Sequence, residues 1–302
     1  MADQLIECVP NFSEGRRPEV INSIRDAVAA VEGVRVLDVH ADAEHNRFVL
    51  TYVVPESRAV ASGLAAARAA VKYIDLRTHE GAHPRMGALD VFPFVPLGDV
   101  PMARCVELAA TLGEAIAAEL EIPVFLYEEA ARRPDRANLE NIRKGGFEAL
   151  REALPHDPDR RPDFGPAAVH PSAGAMAVGA RRPLIAFNVY LGTPDPKLAK
   201  AIAKAIRHSS GGLRYVKGLG LEMPGTGATQ VSMNLTNYRA TSIVTVMDLI
   251  RAEAARWGVP VLRTEVVGLI PMDAMLDAAQ AFLQLRDFSR DQVLERRLLQ
   301  SS

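Results

Sequence analysis

The densest concentration of reactive side chains is Arg77-Thr78-His79-Glu80-Gly81-Ala82-His83-Pro84-Arg85-Met86-Gly87-Ala88-Leu89-Asp90, which leads from a helical pattern into a strand pattern. Imidazoles exchange protons near neutral pH and guanidinium groups orient carboxylates through paired donors, so this segment combines a proton shuttle with an anion clamp. Its bland alternative is a solvated polar turn. A second run, His40-Ala41-Asp42-Ala43-Glu44-His45-Asn46-Arg47, joins two adjacent strands and is longer than a tight hairpin requires. In Val9-Pro10-Asn11-Phe12-Ser13-Glu14-Gly15, after the first strand, Asn11 is placed to orient a ligand and Ser13 to cap the following helix. His79 and His83 have a His-x-x-x-His spacing that binds zinc on one helix face, but Gly81 and Pro84 argue against a helix and no third ligand is evident. No metal is expected. Cys8, in an apolar strand, reads as a buried structural thiol rather than a nucleophile.

The elements that must hold these segments follow from periodicity. In the first half, a strand over Leu5–Val9 precedes a helix that starts at Pro18, buries Ile21, Ile24, Val28 and Val31 on one face, and stops at Gly33. Strands over Val34–Val39 and Phe48–Val54, an Ala-rich helix over about 57–74, a strand over Leu89–Val95, a helix from Met102 and a short strand over Pro123–Tyr127 follow. The second half has a strand over Leu184–Leu191 and a helix opened by the Asp195-Pro196 cap pair. Strands over Leu213–Leu221 and Thr229–Leu235 form a hairpin around Pro224-Gly225. A helix capped by Thr241 or Ser242, a closing strand over Val261–Leu269 and a last helix from Met272 complete it. Each half contains the order β-α-β-β-α-β, the split βαβ arrangement with helices on one face of an antiparallel sheet. The expectation is an α/β (α+β) protein of two ferredoxin-like βαββαβ subdomains, residues 1–175 and 176–302, with facing sheets, helices outside and a ligand tunnel between. Residues 154–174, punctuated by Pro155, Pro158, Pro162, Pro166 and Pro171, read as the connection between the halves and as a binding segment.

Composition restricts the partners. With 302 residues, 48% of them apolar and 24% charged, the chain has the make-up of a globular protein. Thirty-five Lys and Arg against 37 Asp and Glu leave a formal charge of −2, so no global field draws nucleic acid or an anionic membrane. The first residues lack the basic and apolar regions of a signal peptide and no stretch approaches the ~18 apolar residues of a membrane span, which gives a cytoplasmic reading. Gly218-Leu219-Gly220 and Gly225-Thr226-Gly227 lie between two strands and open no helix, so a dinucleotide site is excluded.

Taken together, Cys-Val-Pro-Asn-Phe-Ser-Glu-Gly at 8–15, Asn46-Arg47, His-Pro-Arg-Met-Gly-Ala-Leu-Asp at 83–90, Asp-Phe-Gly-Pro at 163–166 and Leu-Ile-Ala-Phe-Asn at 184–188 resemble the glutamate formimidoyltransferases. The resemblance covers nearly the whole chain and points to the stand-alone bacterial form, equivalent to the formiminotransferase part of the animal formimidoyltransferase-cyclodeaminases. It implies transfer of a formimino group between N-formimino-L-glutamate and tetrahydrofolate as co-substrate, as in histidine breakdown, by a cytoplasmic homodimer. It also implies that His83 is the catalytic histidine, that Asn11 lies at the active centre, and that the folate segment is Gly165, Pro166, Ala167, Ala168, Val169, His170, Pro171, Ser172, Ala173 and Gly174. Where the animal enzyme carries an Asp near the catalytic His, this sequence has His40, with Asp42 two residues on, so the partner of His83 is Asp42, Glu80 or His40. Arg47 and Arg85 are the expected carboxylate binders. Two other readings keep the same residues: formyl transfer between 5-formyltetrahydrofolate and glutamate, and a folate-binding module without catalysis.

Overall fold

The computed structural model describes residues 4–81, 83–223 and 225–300. Pro224, expected in the turn of a hairpin, lies outside them. The chain divides into two units, Met1–Arg182 and Pro183–Ser302. Each contains a β-α-β-β-α-β order in which the first strand lies between the third and the fourth.

In the first unit the opening strand is split into β1 (Leu5–Cys8) and β2 (Asn11–Phe12), both antiparallel to β4 (Arg47–Pro55) and to β5 (Leu89–Pro96). The expected strand over Leu5–Val9 stops at Cys8 and pairing resumes at Asn11, because Pro10 between them has no N–H for the ladder; Pro10 still offers its carbonyl to the Leu50 amide at 3.0 Å. β3 (Arg35–Asp42) pairs with β4 outside it. Three helices, α1 (Pro18–Ala29), α2 (Ala59–Tyr73) and α3 (Met102–Leu120), pack on a core that includes Ile6, Phe12, Phe48, Leu50, Phe92 and Phe94. Phe12 and Phe48 stack with ring centroids 4.4 Å apart. Gly63 lets α2 approach α3, since a Cβ there would stand 2.5 Å from Leu112 Cδ2.

Two further strands extend this sheet. β6 (Val124–Glu128) and β7 (Met176–Ala180) run parallel in the spatial order β5-β7-β6. Two short helices, α4 (Leu139–Ile142) and α5 (Gly146–Ala153), contribute Ile142 and Leu150 to a smaller core with Met86, Val91, Phe125 and Ala177. Residues 154–174, expected to connect the halves, lie within the first unit. Phe164 forms a bridge with Val124, Gly174 forms one with Gly87, and the chain then continues into β7. The division therefore falls between Arg182 and Pro183 rather than between 175 and 176. β7 was not foreseen because its run of small residues, Met-Ala-Val-Gly-Ala, has no two-residue alternation: all five are buried, as expected for an interior parallel strand.

The second unit holds a four-stranded antiparallel sheet of β8 (Ile185–Leu191), β9 (Val216–Met223), β10 (Ala228–Leu235) and β11 (Val261–Val267), in the order β11-β8-β10-β9. α6 (Pro196–Ile206) and α7 (Ile243–Arg256) pack on its core, which includes Val189, Ile202, Val231, Val246 and Ile250, and α8 (Met272–Leu283) and α9 (Leu294–Gln300) follow β11. The expected caps form: Asp195 accepts the Lys197 amide at 2.9 Å and Ser242 the Thr245 amide at 3.1 Å. β9 starts later than expected because the Leu213 amide bonds back to the Ile206 carbonyl at 2.8 Å and Tyr215 turns the chain with φ +66°.

The closest backbone approach in the first unit is testable. A Cβ on Gly87 would stand 2.0 Å from the Ala175 carbonyl oxygen and 2.8 Å from that of Leu89. Gly87→Ala is therefore expected to destabilise the protein by on the order of 2 kcal/mol or more, read as a lowered urea midpoint. An unchanged midpoint would contradict this packing.

Candidate active site

The polar segments singled out in the sequence meet at the start of β4 and β5. Asn11 stands opposite Val91, whereas Phe12 stands opposite Leu89, so β5 carries an extra residue in a bulge, and that residue is Asp90. Its carboxylate is fully buried. Oδ1 accepts the Met86 amide at 2.8 Å, and Oδ2 accepts from Arg47 Nη1 at 2.8 Å and lies 3.1 Å from Arg143 Nη2. Arg47 Nη2 donates to Asn11 Oδ1 at 2.9 Å, and Asn11 Nδ2 donates to the Val9 carbonyl at 2.7 Å. A line of hydrogen bonds thus ties the break in the first strand to the buried carboxylate.

His83 lies seven positions before Asp90 in the octapeptide and feels the same ions. Its Nδ1 is 2.7 Å from the Pro84 carbonyl. A carbonyl can only accept, so Nδ1 carries the proton and Nε2 holds the lone pair. Burial, followed by the positive charges of Arg47 and Arg143, pushes the imidazole pKa down to about 3, against a smaller upward pull from Asp90. The ring is a neutral base at working pH. Beside it, the His45 ring stands edge-on with centroids 6.2 Å apart, and His45 Nδ1 meets Asp42 Oδ2 at 2.6 Å. Burial raises the Asp42 carboxyl, but hydrogen bonds from the amide and ring of His45 outweigh it and hold the group below its ordinary value.

The candidate partners of His83 occupy different places. Asp42 engages His45. His40 shares the Asp42 face of β3, opposite Val49, and takes no part in the hydrogen bonds around His83 among the described residues. The Glu80 side chain is exposed, and its carbonyl receives Asn46 Nδ2 at 2.8 Å. Asn46 also accepts the Gly15 amide at 2.9 Å, and its carbonyl lies 3.0 Å from His79 Nε2, so this one residue stitches three polar segments together. Arg85 is paired with Glu148 at 2.9 and 3.2 Å and donates to the His79 carbonyl at 3.0 Å. Ser13 does not cap α1, which begins five residues beyond it at Pro18 and out of its reach; its hydroxyl donates to the Gly87 carbonyl at 2.7 Å instead. Cys8 is buried, and burial pushes its thiol well above the usual range, in line with a structural role.

The 165–174 segment ends beside the octapeptide. Gly165, Pro166, Ala167, Ala168 and Pro171 are exposed, whereas Ala173 and Gly174 are buried. His170 Nδ1 accepts the Ala173 amide at 3.0 Å and, at 3.3 Å, that of Ser172. The Ala88 amide bonds to the Ala173 carbonyl and the Ala175 amide to that of Met86, both at 2.9 Å. Gly174 has φ +74° and no room for a side chain, its Cβ position being 2.2 Å from the Met86 carbonyl oxygen. At the other end Asp163 accepts from Arg136 and from the Leu126 amide, each at 2.8 Å. The sequence reading missed Arg143 and the Asp42–His45 pair. The Gly145-Gly146 dipeptide, with both residues at positive φ, was the available signal that the chain reverses just after Arg143.

Residues 5–181 match the formiminotransferase domain, N-terminal subdomain, and residues 186–298 match the formiminotransferase domain. The chain is 49% identical to the glutamate formimidoyltransferase of Thermoplasma acidophilum, over 97% of each chain. The chain belongs to the formiminotransferase family. Its likeness to the glutamate formimidoyltransferase of Streptococcus pyogenes is 44% over 98% of this chain and 99% of that one. The formimidoyltransferase-cyclodeaminase of Rattus norvegicus is 44% identical over 91% of this chain but only 52% of its own length. This formiminotransferase is accordingly an enzyme of the transferase class. No helix among its described residues is long and apolar enough to cross a membrane, and no group of three or more His, Cys, Asp or Glu among them is arranged to hold a metal ion.

The depressed His83 pKa has a measurable consequence. The folded ring stays neutral where an unfolded imidazole, with a pKa near 6.5, gains a proton, so the unfolded state binds more protons and stability falls as pH drops below about 6.5. Nitrogen NMR of the imidazoles is expected to show His83 unprotonated at pH 5. A His83 midpoint near 6.5 would refute the electrostatic account.

Proposed function

We propose that this chain is a glutamate formimidoyltransferase that moves the formimino group between N-formimino-L-glutamate and tetrahydrofolate. The observation that carries the reading is the 49% and 44% identity to two glutamate formimidoyltransferases over nearly their full lengths. It is supported by a neutral histidine beside a buried Arg–Asp–Arg cluster. Tetrahydrofolate acts as a co-substrate, and no metal is needed for the steps below.

The nitrogen N5 of tetrahydrofolate attacks the formimino carbon, a C–N bond forms, and a tetrahedral carbon bearing both amines results. Collapse breaks the bond to the glutamate nitrogen. Between these steps one proton must leave N5 and one must reach the departing nitrogen. His83 Nε2 takes the first and returns it to the second, so the histidine ends as it began. Such assistance is worth about 10²- to 10⁴-fold once the imidazole titrates nearer working pH, a shift the substrate carboxylates supply by offsetting Arg47 and Arg143, and holding the two substrates in line supplies much of the remainder. Arg47, held by Asn11, acts on His83 with its charge, and the Asp42–His45 pair, with His40 on the same face of β3, adjoins it. Arg47 contributes positive charge for the substrate carboxylates, whereas Arg85, the other expected binder, is paired with Glu148. Residues 165–174 receive the folate, a role supported by their exposed stretch running into a backbone bonded directly to Met86 and Ala88. The same family likeness extends the reading to a cytoplasmic homodimer acting in histidine degradation.

Two variants check this reading. His83→Asn is expected to lower kcat for formimino transfer by 10²- to 10⁴-fold, followed by absorbance, with folate affinity within a few-fold of wild type. A wild type inert towards N-formimino-L-glutamate, or a mutant of normal kcat, would refute it. Asp42→Asn should leave His83 in place and act only through His45, so a smaller loss, below about tenfold, is expected.

A further inference from the structure

The cluster at Asp90 is out of charge balance. Two guanidinium groups, Arg47 and Arg143, share a single carboxylate, and among the described residues neither has another acidic partner. The two arginines are not equivalent. Arg47 donates hydrogen bonds to Asp90 and to Asn11, whereas Arg143 has only the 3.1 Å charge contact with Asp90, and its Nε is buried with no hydrogen-bond partner. Its side chain is 14% exposed. A buried N–H without an acceptor costs about 1–3 kcal/mol, more when it is charged, so a guanidinium in this state beside a reacting centre is suited to receive an anion. Arg85 also leaves its Nε buried without a partner, but its charge, unlike that of Arg143, is balanced by a carboxylate of its own, Glu148.

The position of Arg143 is built rather than incidental. It terminates α4, and Arg160 donates to the carbonyls on either side of it, those of Ile142 at 3.2 Å and Lys144 at 3.3 Å. The chain then reverses through Gly145 and Gly146, at φ +84° and +70°, and the Phe147 amide bonds to the Arg85 carbonyl at 2.8 Å. Backbone and side-chain contacts therefore clamp this corner to the His83 segment.

We infer that Arg143 is the specificity residue for the amino-acid substrate, binding the α-carboxylate of N-formimino-L-glutamate through the donors that Asp90 leaves open. The inference rests on the proposed formimino transfer for the identity of its anion. The α-carboxylate is the one chosen because its carbon is two bonds from the nitrogen that His83 must protonate. The glutamyl carboxylates of tetrahydrofolate are separated from N5 by the whole aminobenzoyl group and stand far from the histidine. Asp90 is a positioning residue here: it orients both guanidinium groups and keeps their charges from repelling.

The test uses the full-length enzyme with Arg143→Gln and Arg143→Lys, both checked for folding by thermal melting. With Gln, KM for N-formimino-L-glutamate is expected to rise about 10- to 100-fold, as befits loss of a charge-assisted pair, with the KM for tetrahydrofolate within a few-fold of wild type. Lys should recover part of the loss. By calorimetry, L-glutamate should bind the Gln variant more weakly by a similar factor, whereas 4-aminobutyrate, which lacks the α-carboxylate, should bind wild type and variant alike. A folded Gln or Lys variant with unchanged KM for N-formimino-L-glutamate, or one in which only the KM for tetrahydrofolate rises, would overturn the inference. Failure of the broader reading is separate: it would appear as a wild type that binds L-glutamate through Arg143 but transfers no formimino group.

Discussion

One buried carboxylate organises the first unit's chemistry. Asp90 has no access to solvent, so it remains charged only because Arg47 and Arg143 meet it and the Met86 amide donates to it. Removing one partner of such a group typically costs 3–5 kcal/mol, because the others are left charged in a medium that solvates them poorly. Three distant pieces of chain are bound by this constraint: the start of β4, the octapeptide before β5, and the end of α4. Burial first, and then the same positive surplus that holds Asp90 ionised, drive the proton off His83. Structural and catalytic electrostatics are therefore one arrangement, and neither can be changed alone.

The backbone around the cluster explains why glycine and proline recur in the motifs. Pro10 breaks the first strand so that Asn11 can face Arg47, and the extra residue in β5 turns Asp90 out of strand alternation. Gly87 and Gly174 let two backbones approach until their carbonyls and amides bond directly, which brings the exposed 165–174 segment against the octapeptide. Strands thus carry Arg47 and Asp90, the irregular segment before β5 carries the histidine, and a loop anchored at both ends carries the surface beside them.

Much of this was legible from residue order. The two β-α-β-β-α-β repeats, the helix faces with Ile24 and Ile250, the Asp195 and Ser242 caps, and the octapeptide at 83–90 all rest on local patterns, and local patterns survive into the fold. Segment 154–174 was harder. Its prolines were expected to exclude regular structure, and one 3-10 turn, Pro158–Arg160, forms within it; nothing local says that Phe164 bridges to Val124 or that β7 closes the first sheet, since both depend on strands distant in sequence. Arg143 was overlooked for the same reason: a single arginine after a four-residue helix has no periodic signature.

The sequence by itself determined which side chains were available and which elements bore them: the histidine and arginine of the octapeptide, Asn11 after its proline, and the repeated alternation of strands and helices. Only the tertiary structure decided which of those charges became partners. Pairing depends on a bulge that shifts one residue and on close approaches between segments more than fifty positions apart, such as Asp90 with Arg143 and Met86 with Ala175. Ionisation depends on distance and solvent access, and neither exists for a residue until the chain has folded around it.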